Sequence, residues 1–244
     1  MAFRSSAITS SSTGGTVTAT PAGVQAHDYL GLLFDGDNTG FTPTYPSGWT
    51  ERANADLSGP DVQTARYADK NDASGSDSFT LISNTATGVA MITAAWSGRD
   101  NTNPRSTTPV TTTNTTANAS AISATITGIT ATANDDIAVW MFTDQTIAAS
   151  RWTYSTITNY TERQDGVATD WVSGIALDTR DNVSAGGTGN FSTTITDASS
   201  STSGYGGIVV AIKLAPAGGG GNTALFQQQL DAMTGGRYMG NRVQ

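Results

Sequence analysis

The sequence predicts an all-β protein of the sandwich or jelly-roll type, and three observations carry that prediction. Short apolar runs recur between stretches rich in Gly, Asn and Asp, which favour turns. About 65 of the 244 residues are Ser or Thr and 27 are Gly, a composition suited to strands and turns. No sustained helical period of 3.6 residues occurs before residue 222. Together these patterns favour strands packed face to face.

The candidate strands follow one another along the chain and share a β-branched, apolar character. Thr, Val and Ile fit a pleated, half-buried surface, so each apolar run is interpreted as a strand. The run at 29–34 ends at Asp35-Gly36-Asp37-Asn38, a typical turn sequence. The strand candidates are residues 16–20, 29–34, 79–82, 90–96, 122–127, 137–142 and 208–212.

The composition excludes several classes of function. The chain contains no Cys and one His, so it has no disulfide scaffold, no thiolate metal site and no Cys nucleophile. Its 12 Lys and Arg against 20 Asp and Glu give a net charge of −8, which repels phosphate backbones. We therefore expect a non-enzymatic protein with no cofactor, no metal and no nucleic-acid partner.

The N-terminus has no apolar region of the kind found in secretory signal peptides, since it begins Met-Ala-Phe-Arg-Ser. The longest apolar runs, such as 29–34 and 208–212, are far shorter than a membrane-spanning helix. We expect synthesis in a host cytoplasm, no membrane partner, and release only as part of a larger particle.

The chain divides by composition into three zones, and the first contains an internal repeat. Residues 1–215 form the Thr-rich zone, 216–221 a Gly-rich linker, and 222–244 a tail rich in Gln, Met and Arg. Within the first zone, five blocks recur at an offset of about 108 to 119 residues, which indicates a two-copy duplication. The aligned pairs are 16–20 with 128–132, 26–34 with 134–142, 49–52 with 160–163, 79–81 with 191–193, and 88–92 with 207–211.

The repeat defines halves at about 1–104 and 119–215, joined by a Thr- and Asn-rich crossover. Two architectures are open: two small sandwiches, or one pseudo-symmetric sandwich in which each half supplies a layer. We favour one compact unit, because a half of about 100 residues with few large apolar side chains has little material for its own core.

The first half contains a series of short sequence blocks in a fixed order. They are Pro21-Ala22-Gly23-Val24, His27-Asp28-Tyr29-Leu30, Pro46-Ser47-Gly48-Trp49-Thr50, Thr93-Ala94-Ala95-Trp96-Ser97-Gly98-Arg99-Asp100 and Asn103-Pro104. These blocks resemble a module of tailed-bacteriophage structural proteins, with His27 in place of a usual Gly and Trp96 in place of a usual Tyr. The resemblance spans most of residues 15–215 and implies a virion protein, such as a capsid decoration protein, a head fibre or a tail-associated component.

The C-terminal tail predicts a short helical or extended anchor. Phe226, Leu230 and Met233 are spaced i, i+4, i+7 and share one helical face, and a lone helix of this length is marginal in water. We expect the tail to dock on a neighbouring subunit or on the capsid; the alternative is a tail folded back on its own sandwich. The expected partner-binding residues are Leu225, Phe226, Leu230, Met233, Arg237, Tyr238 and Arg242.

Two constellations resemble catalytic sites but are better explained structurally. His27 adjoins Asp28, yet no nucleophile motif accompanies the pair. Glu51 and Glu162 occupy matching repeat positions, which suggests the paired carboxylates of a glycosidase. Duplication alone explains that match, and each Glu precedes an Arg with which it is expected to form a weak surface pair.

Other residue patterns bear on metal and glycan binding. The loop starting at Asp35 opens like a calcium loop but has Pro46 where the twelfth position needs an acid. The acids and amide near 69–72 and 178–181 match calcium spacing no better than chance. Of the five Trp residues, Trp96 and Trp140 lie in apolar strands and are expected in the core, and Trp49 follows a turn and is suited to closing one end of the sandwich. Trp152 and Trp171 have loop-like surroundings and are the candidates for contact with a host surface glycan.

The sequence therefore predicts a homo-oligomeric structural component of a phage virion. Capsid decoration or head-fibre duty is the first expectation, with the tail bound to the major capsid protein or another virion protein. The alternative is a tail-associated receptor-binding or carbohydrate-binding module.

Overall fold

The computed structural model describes residues 2–11, 15–37, 42–57, 63–83, 88–100, 102–115, 121–132, 134–145, 153–167, 173–196 and 202–215. Within these ranges the secondary structure consists of 17 β-strands. The first half contains β1 (Ala2–Ser11), β2 (Gly15–Thr18), β3 (Tyr29–Asp37), β4 (Thr50–Leu57), β5 (Gln63–Lys70), β6 (Thr80–Ser83) and β7 (Val89–Ser97). The second contains β8 (Val110–Asn114), β9 (Ala121–Ile126), β10 (Thr130–Ala131), β11 (Asp135–Gln145), β12 (Thr153–Tyr154), β13 (Thr161–Val167), β14 (Ser173–Val183), β15 (Gly186–Gly187), β16 (Phe191–Thr196) and β17 (Thr202–Ile212).

The two halves build the same antiparallel sheet in the same strand order. The first half forms β1-β7-β3-β5-β4, and the second forms β8-β17-β11-β14-β13. A smaller sheet accompanies each: β2-β6 in the first half, where Thr44 also bridges to Ile82, and β9-β16-β12 in the second. The Thr44 bridge thus takes the place that β12 has in the second half.

The strand pairing in each half is that of a jelly roll. The first strand of each half pairs with the last, and the second strand pairs with the strand before the last. The next long strand, β3 or β11, pairs with the more C-terminal strand of the central hairpin. These pairs are β1-β7, β2-β6 and β3-β5 in the first half and β8-β17, β9-β16 and β11-β14 in the second. In the second half the two-residue strands β10 and β15 also pair with each other. The all-β, jelly-roll-like prediction with an internal repeat is confirmed.

The two five-stranded sheets pack face to face around a shared core. Trp96 of the first half meets Trp140 of the second edge to face, with ring centroids 6.2 Å apart, and Tyr67 lies 5.6 Å from Trp140. Residues Met1–Leu214 form one compact unit. The largest core residues supplied by the two halves are Tyr29, Leu33, Leu57, Tyr67, Ile92, Trp96, Trp140, Phe142, Ile175, Leu177, Ile208, Val210 and Ile212.

Each five-stranded sheet is also covered on its outer face. In β11, Trp140 faces the central core, whereas the neighbouring Val139 and Met141 face an outer core beneath β9, β12 and β16. Leu30, Leu32 and Phe34 of β3 likewise face an outer core beneath β2 and β6. Burial on both faces explains why these strands read as continuous apolar runs instead of alternating ones.

The edges of the two sheets also meet. Arg163 of β13 lies over the Phe3 ring of β1, 4.2 Å from its centroid, and the Ser6 hydroxyl donates to the Arg163 carbonyl at 3.2 Å. On the opposite side β4 lies beside β8. Strand β8 lies in the Thr-rich stretch that the sequence predicts to be a crossover between the halves. In the structure its residues alternate between half-buried and exposed, and it forms an edge strand of the second sheet.

One sequence alignment between the halves is out of register by a residue. Matching 26–34 with 134–142 places Leu33 on Met141, but the hydrogen-bonded pairing of the strands places Leu33 on Trp140. Leu33 and Trp140 both face the central core, whereas Met141 faces outward. A one-residue shift reverses every side chain in a strand, so the pairing decides the match.

A second alignment is shifted by three residues for the same reason. Matching 88–92 with 207–211 places Ile92 on Ala211, which faces the outer core. The strand pairing places Ile92 on Ile208, and both of those side chains face the central core. Similar residue types in doubly buried strands do not define the register, because both faces are apolar.

A buried carboxylate closes one end of the central core. Asp69 is 1 % exposed and accepts a hydrogen bond from the Tyr29 hydroxyl at 2.9 Å. Arg52 of β4 and Arg105 of the segment between the halves each place a guanidinium nitrogen 2.7 Å from it. Two guanidinium groups and a hydroxyl compensate the buried charge, and they tie the connecting segment to the first sheet.

The ring of Phe142 requires glycine at position 206 of the neighbouring strand. The two residues are paired in the β11–β17 ladder, and a Cβ at Gly206 would overlap that ring. We expect Gly206→Ala to lower the free energy of unfolding by about 1 to 3 kcal/mol through overpacking. Urea denaturation measures this. Gly187→Ala is the matched control, because no heavy atom lies within 4 Å of its Cβ position; equal effects of the two substitutions would contradict the packing argument.

Candidate functional site

A polar groove of about 390 Å³ opens on the outer face of the second half. It lies between the turn that precedes β13, the end of β14 and the segment that leads into β16. Its volume is at the small end of the range for ligand pockets. The side chains and backbone that line it are Ile157, Thr158, Asn159, Tyr160, Arg180, Val183, Gly187, Thr188, Asn190, Phe191 and Ser192.

One wall of the groove is a turn fixed from below by a buried carboxylate. The Ile157 amide donates to Asp178 Oδ2 at 2.7 Å, and the Tyr160 amide donates to the Ile157 carbonyl at 2.9 Å. Asn159 has a φ of 67°, a left-handed conformation that Asn tolerates better than most residues. The turn therefore presents Thr158, Asn159 and Tyr160 in a defined arrangement.

The opposite wall is tied to the segment before β10. The Thr188 hydroxyl accepts a hydrogen bond from the Ile129 amide at 2.9 Å, and the Asn190 side-chain oxygen accepts one from Gly128 at 3.2 Å. Because Asn190 uses its oxygen in this contact, its NH₂ group is left as a donor. Both walls are thus preorganised by hydrogen bonds within the protein.

The groove has an aromatic base. Tyr160 and Phe191 make an edge-to-face contact with centroids 5.3 Å apart, and Phe191 is buried whereas Tyr160 is half-buried. Burial raises the pKa of Tyr160 to about 12, although the nearby charge of Arg180 opposes that shift. The Tyr160 hydroxyl therefore stays protonated and remains a hydrogen-bond donor at neutral pH.

Arg180 gives the groove its charge. Its side chain is exposed at the end of β14 and forms no ion pair or hydrogen bond with any residue that the structure describes. Every other Lys and Arg in that part of the chain pairs with a carboxylate, or donates to backbone carbonyls in the case of Arg99. On a chain of net charge −8, this unpaired guanidinium stands out.

The first half contains the counterpart of this groove, and there it is occupied by the protein itself. Trp49 and Phe79 form the equivalent edge-to-face pair, 5.8 Å apart, and Gly48 has the left-handed φ of 87°. Lys70, which corresponds to Arg180, lies against Gly48 and reaches Asp77 Oδ1 at 2.5 Å. The Asp77 side chain is fully buried, so an internal ion pair fills the site.

The second half lacks the acid that closes the first. Phe79 aligns with Phe191, which places Gly189 at the position of Asp77. Gly189 has no side chain that could pair with the guanidinium of Arg180, and its φ of 70° suits glycine. Without a carboxylate at this position, Arg180 has no ion-pair partner among the described residues at the groove.

The site residues proposed from sequence lie outside the described residues. This applies to both glycan candidates, Trp152 and Trp171, and to the tail residues Leu225, Phe226, Leu230, Met233, Arg237, Tyr238 and Arg242. The linker 216–221 is likewise outside. Trp49, Trp96 and Trp140 are described, and all three are buried, as expected for the last two.

His27 does not form the catalytic-type pair with Asp28. Its Nδ1 lies 2.6 Å from Asp72 Oδ1, and both side chains are largely exposed. Asp28 is buried and pairs with Arg4 at 2.6 Å. The two neighbours in sequence therefore have separate structural partners.

Glu51 and Glu162 occupy equivalent positions but lie on opposite outer faces. Glu51 is paired with Ala68, which faces the outer core of the first half, and each Glu precedes a β-bulge in its strand. Glu162 is paired with Asp178 on the outer face of the second sheet. Two carboxylates on opposite faces of the sandwich cannot flank one glycosidic bond.

The acids considered for calcium are dispersed among structural contacts. Asp69 faces arginines inside the core, and Asp178 holds the turn at Ile157. In the described part of the chain, no group of three or more His, Cys, Asp or Glu residues is arranged to hold a metal ion.

The groove residues Tyr160, Arg180 and Asn190 were not identified from sequence. The repeat contained a signal for the groove, because Trp49 aligns with Tyr160 and positions that differ between the two copies are candidates for a different function. That signal depends on knowing that Lys70 is held by Asp77, which is a tertiary contact.

Comparison with known proteins gives no assignment. No family model matches the chain, and neither a curated protein nor a solved structure matches it. Among the described residues, no helix is long and apolar enough to cross a bilayer.

Asp178 makes the turn at the groove sensitive to pH. Burial, reinforced by Glu162 and Asp165, raises the pKa of Asp178 to about 6, so the folded state binds a proton more tightly than the unfolded state. This carboxyl therefore lowers stability as pH rises from about 4 through 6.

We expect Asp178→Asn to stabilise the protein by about 1 to 2 kcal/mol at pH 7.5, because the amide oxygen still accepts from Ile157 without a buried charge. The gain should shrink at pH 4.5, where wild type is protonated. Thermal unfolding at the two pH values measures it, and a gain that does not depend on pH would contradict the assignment.

Proposed function

We propose that the chain is a non-enzymatic structural component of a bacteriophage particle, displayed as a capsid decoration or head-fibre module. The observation that carries the proposal is the joining of two jelly rolls through one shared core, a compact and internally braced body. Such a body suits display on a particle that must survive outside the cell. The proposal also rests on the sequence blocks that resemble phage structural proteins.

Residues of those blocks act in packing, which supports a structural role. Arg99 donates to the carbonyls of His27 and Asp28, both at 2.9 Å, and so joins the start of β3 to the end of β7. Trp49 of another block packs on Phe79 and donates to the Ser78 carbonyl at 3.2 Å. These contacts stabilise the fold and present no reacting group.

The proposed anchor is the tail of residues 222–244. Its composition differs from that of the β module, and in a helix the spacing of Phe226, Leu230 and Met233 would place them on one apolar face. Arg237, Tyr238 and Arg242 add a basic segment to an acidic protein. The proposed partners are the major capsid protein or another virion protein, with further copies of this chain.

Removal of the tail should release the module from the particle without unfolding it. We expect a variant ending at Ala217 to keep the wild-type melting temperature and to disappear from purified particles, as measured by quantitative mass spectrometry. Wild type should be present at a copy number that matches the symmetry of the capsid or portal.

A full-length variant with Phe226, Leu230 and Met233 all replaced by Ser is the matched control for chain length. It should be lost from particles as well, because the apolar face provides the contact. Retention of the truncated module at the wild-type copy number would refute tail anchoring.

The second candidate function is carbohydrate binding, as in a tail-associated receptor-binding module. The polar groove favours it, since aromatic, amide and hydroxyl groups converge on one preorganised site. A glycan array distinguishes the two proposals, because a purely structural module gives no glycan signal.

A further inference from the structure

The contrast between the two copies of the groove identifies what the open copy lacks. In the first half, the Lys70 ammonium is neutralised by the buried Asp77 carboxylate. In the second half, Arg180 stands at the same position and Gly189 replaces the acid. The missing component is therefore a carboxylate, and a ligand can supply it.

We infer that the groove of the second half binds a saccharide that carries a single carboxylate, with Arg180 recognising the acid and Tyr160 the sugar ring. The inference rests on the carbohydrate-binding candidate proposed above and specifies its ligand class. All the residues on which the inference rests are described, and none of them belongs to the tail.

The guanidinium of Arg180 is suited to a carboxylate. Its planar fork of donors matches the two oxygens of a carboxylate, and such bidentate contacts are stronger than neutral hydrogen bonds. Arg180 is exposed and has no ion-pair partner among the described residues. A ligand therefore does not have to break an ion pair with any of those residues.

The remaining groups of the groove suit a sugar. Tyr160 is half-buried, and an aromatic ring offers an apolar face together with a hydroxyl donor. Asn159 and Asn190 supply amides, and Thr158, Thr188 and Ser192 supply hydroxyls. This mixture complements a ring whose edges are hydroxyls and whose faces are C–H groups.

The charge of the whole chain limits the ligand to few negative charges. A net charge of −8 repels polyanions such as nucleic acids at long range. One guanidinium compensates one carboxylate, and the groove lining contains no second Lys or Arg. A monoacidic saccharide therefore fits the site better than a phosphate polymer does.

The full-length protein is titrated with matched pairs of probes, and binding is measured by ligand-observed NMR at low ionic strength. The acidic probes are sialyllactose and a disaccharide with one glucuronic acid, and each is paired with its methyl ester, which removes the charge and adds one methyl group. Acetate tests a carboxylate without a sugar. We expect both acidic sugars to bind at least about tenfold more tightly than their esters and than acetate.

Two variants tie the binding to the groove. Arg180→Gln should weaken the acidic sugars about tenfold and leave the esters unchanged. Asn190→Asp is nearly isosteric and keeps the acceptor for Gly128, and its new carboxylate beside Arg180 should also weaken the acidic sugars. Lys213→Gln removes the same charge at the Asp100 ion pair and should leave every affinity within about twofold.

The outcomes separate this inference from the proposals on which it rests. Equal binding of acids and esters, unaffected by Arg180→Gln, would refute acid recognition and leave carbohydrate binding in place. If acetate bound as tightly as the acidic sugars, the inference that the groove recognises a sugar ring would be refuted. No binding of either acidic sugar would overturn both the inference and the carbohydrate candidate, while the virion proposal would still be decided by tail truncation.

Discussion

Both five-stranded sheets are apolar on both faces, and this constraint determines the rest of the architecture. A sheet of that kind needs a cover on each side. The small sheets of two or three strands cover the outer faces, and neither half contains another layer for its inner face. Each half therefore uses the other as its cover, which makes the halves interdependent and places Trp96 against Trp140 at the centre.

The shared core also explains where polar groups had to be buried. Position 69 faces the inner layer near its end, and its carboxylate is matched by Arg52 within the half and Arg105 from the connecting segment. The corresponding residue of the second half is Thr179, whose hydroxyl accepts from Arg163 at 2.7 Å. The same contact is thus made with a charge in one copy and without it in the other.

The sequence patterns predicted seven of the 17 described strands, namely β2, β3, β6, β7, β9, β11 and β17. They missed β5 and β14, which are inner strands of the five-stranded sheets, because these strands mix polar and apolar residues. The contacts between the strands were predicted poorly. The run at 137–142 is unmistakable as a strand, yet its double apolar faces hide which residues point inward, so the alignment with the first half slipped by one residue. Strand β8 was not predicted because an exposed edge strand needs few apolar residues, so its Thr-rich sequence has no apolar pattern. The groove could not be predicted from the repeat alone, because the difference between the copies becomes informative only once the Lys70–Asp77 contact is known.

The two copies fix the turn at this position by different contacts. The ion pair of Lys70 and Asp77 consolidates the first copy, and the bond from Ile157 to Asp178 fixes the same turn of the second copy from beneath. The second copy therefore holds its turn without an acid at the position of Asp77. Because the two copies share a core but not their outer faces, the outer faces differ while the core is common to both. A binding site is therefore expected on the outer face, where the two copies differ, and not in the core that they share.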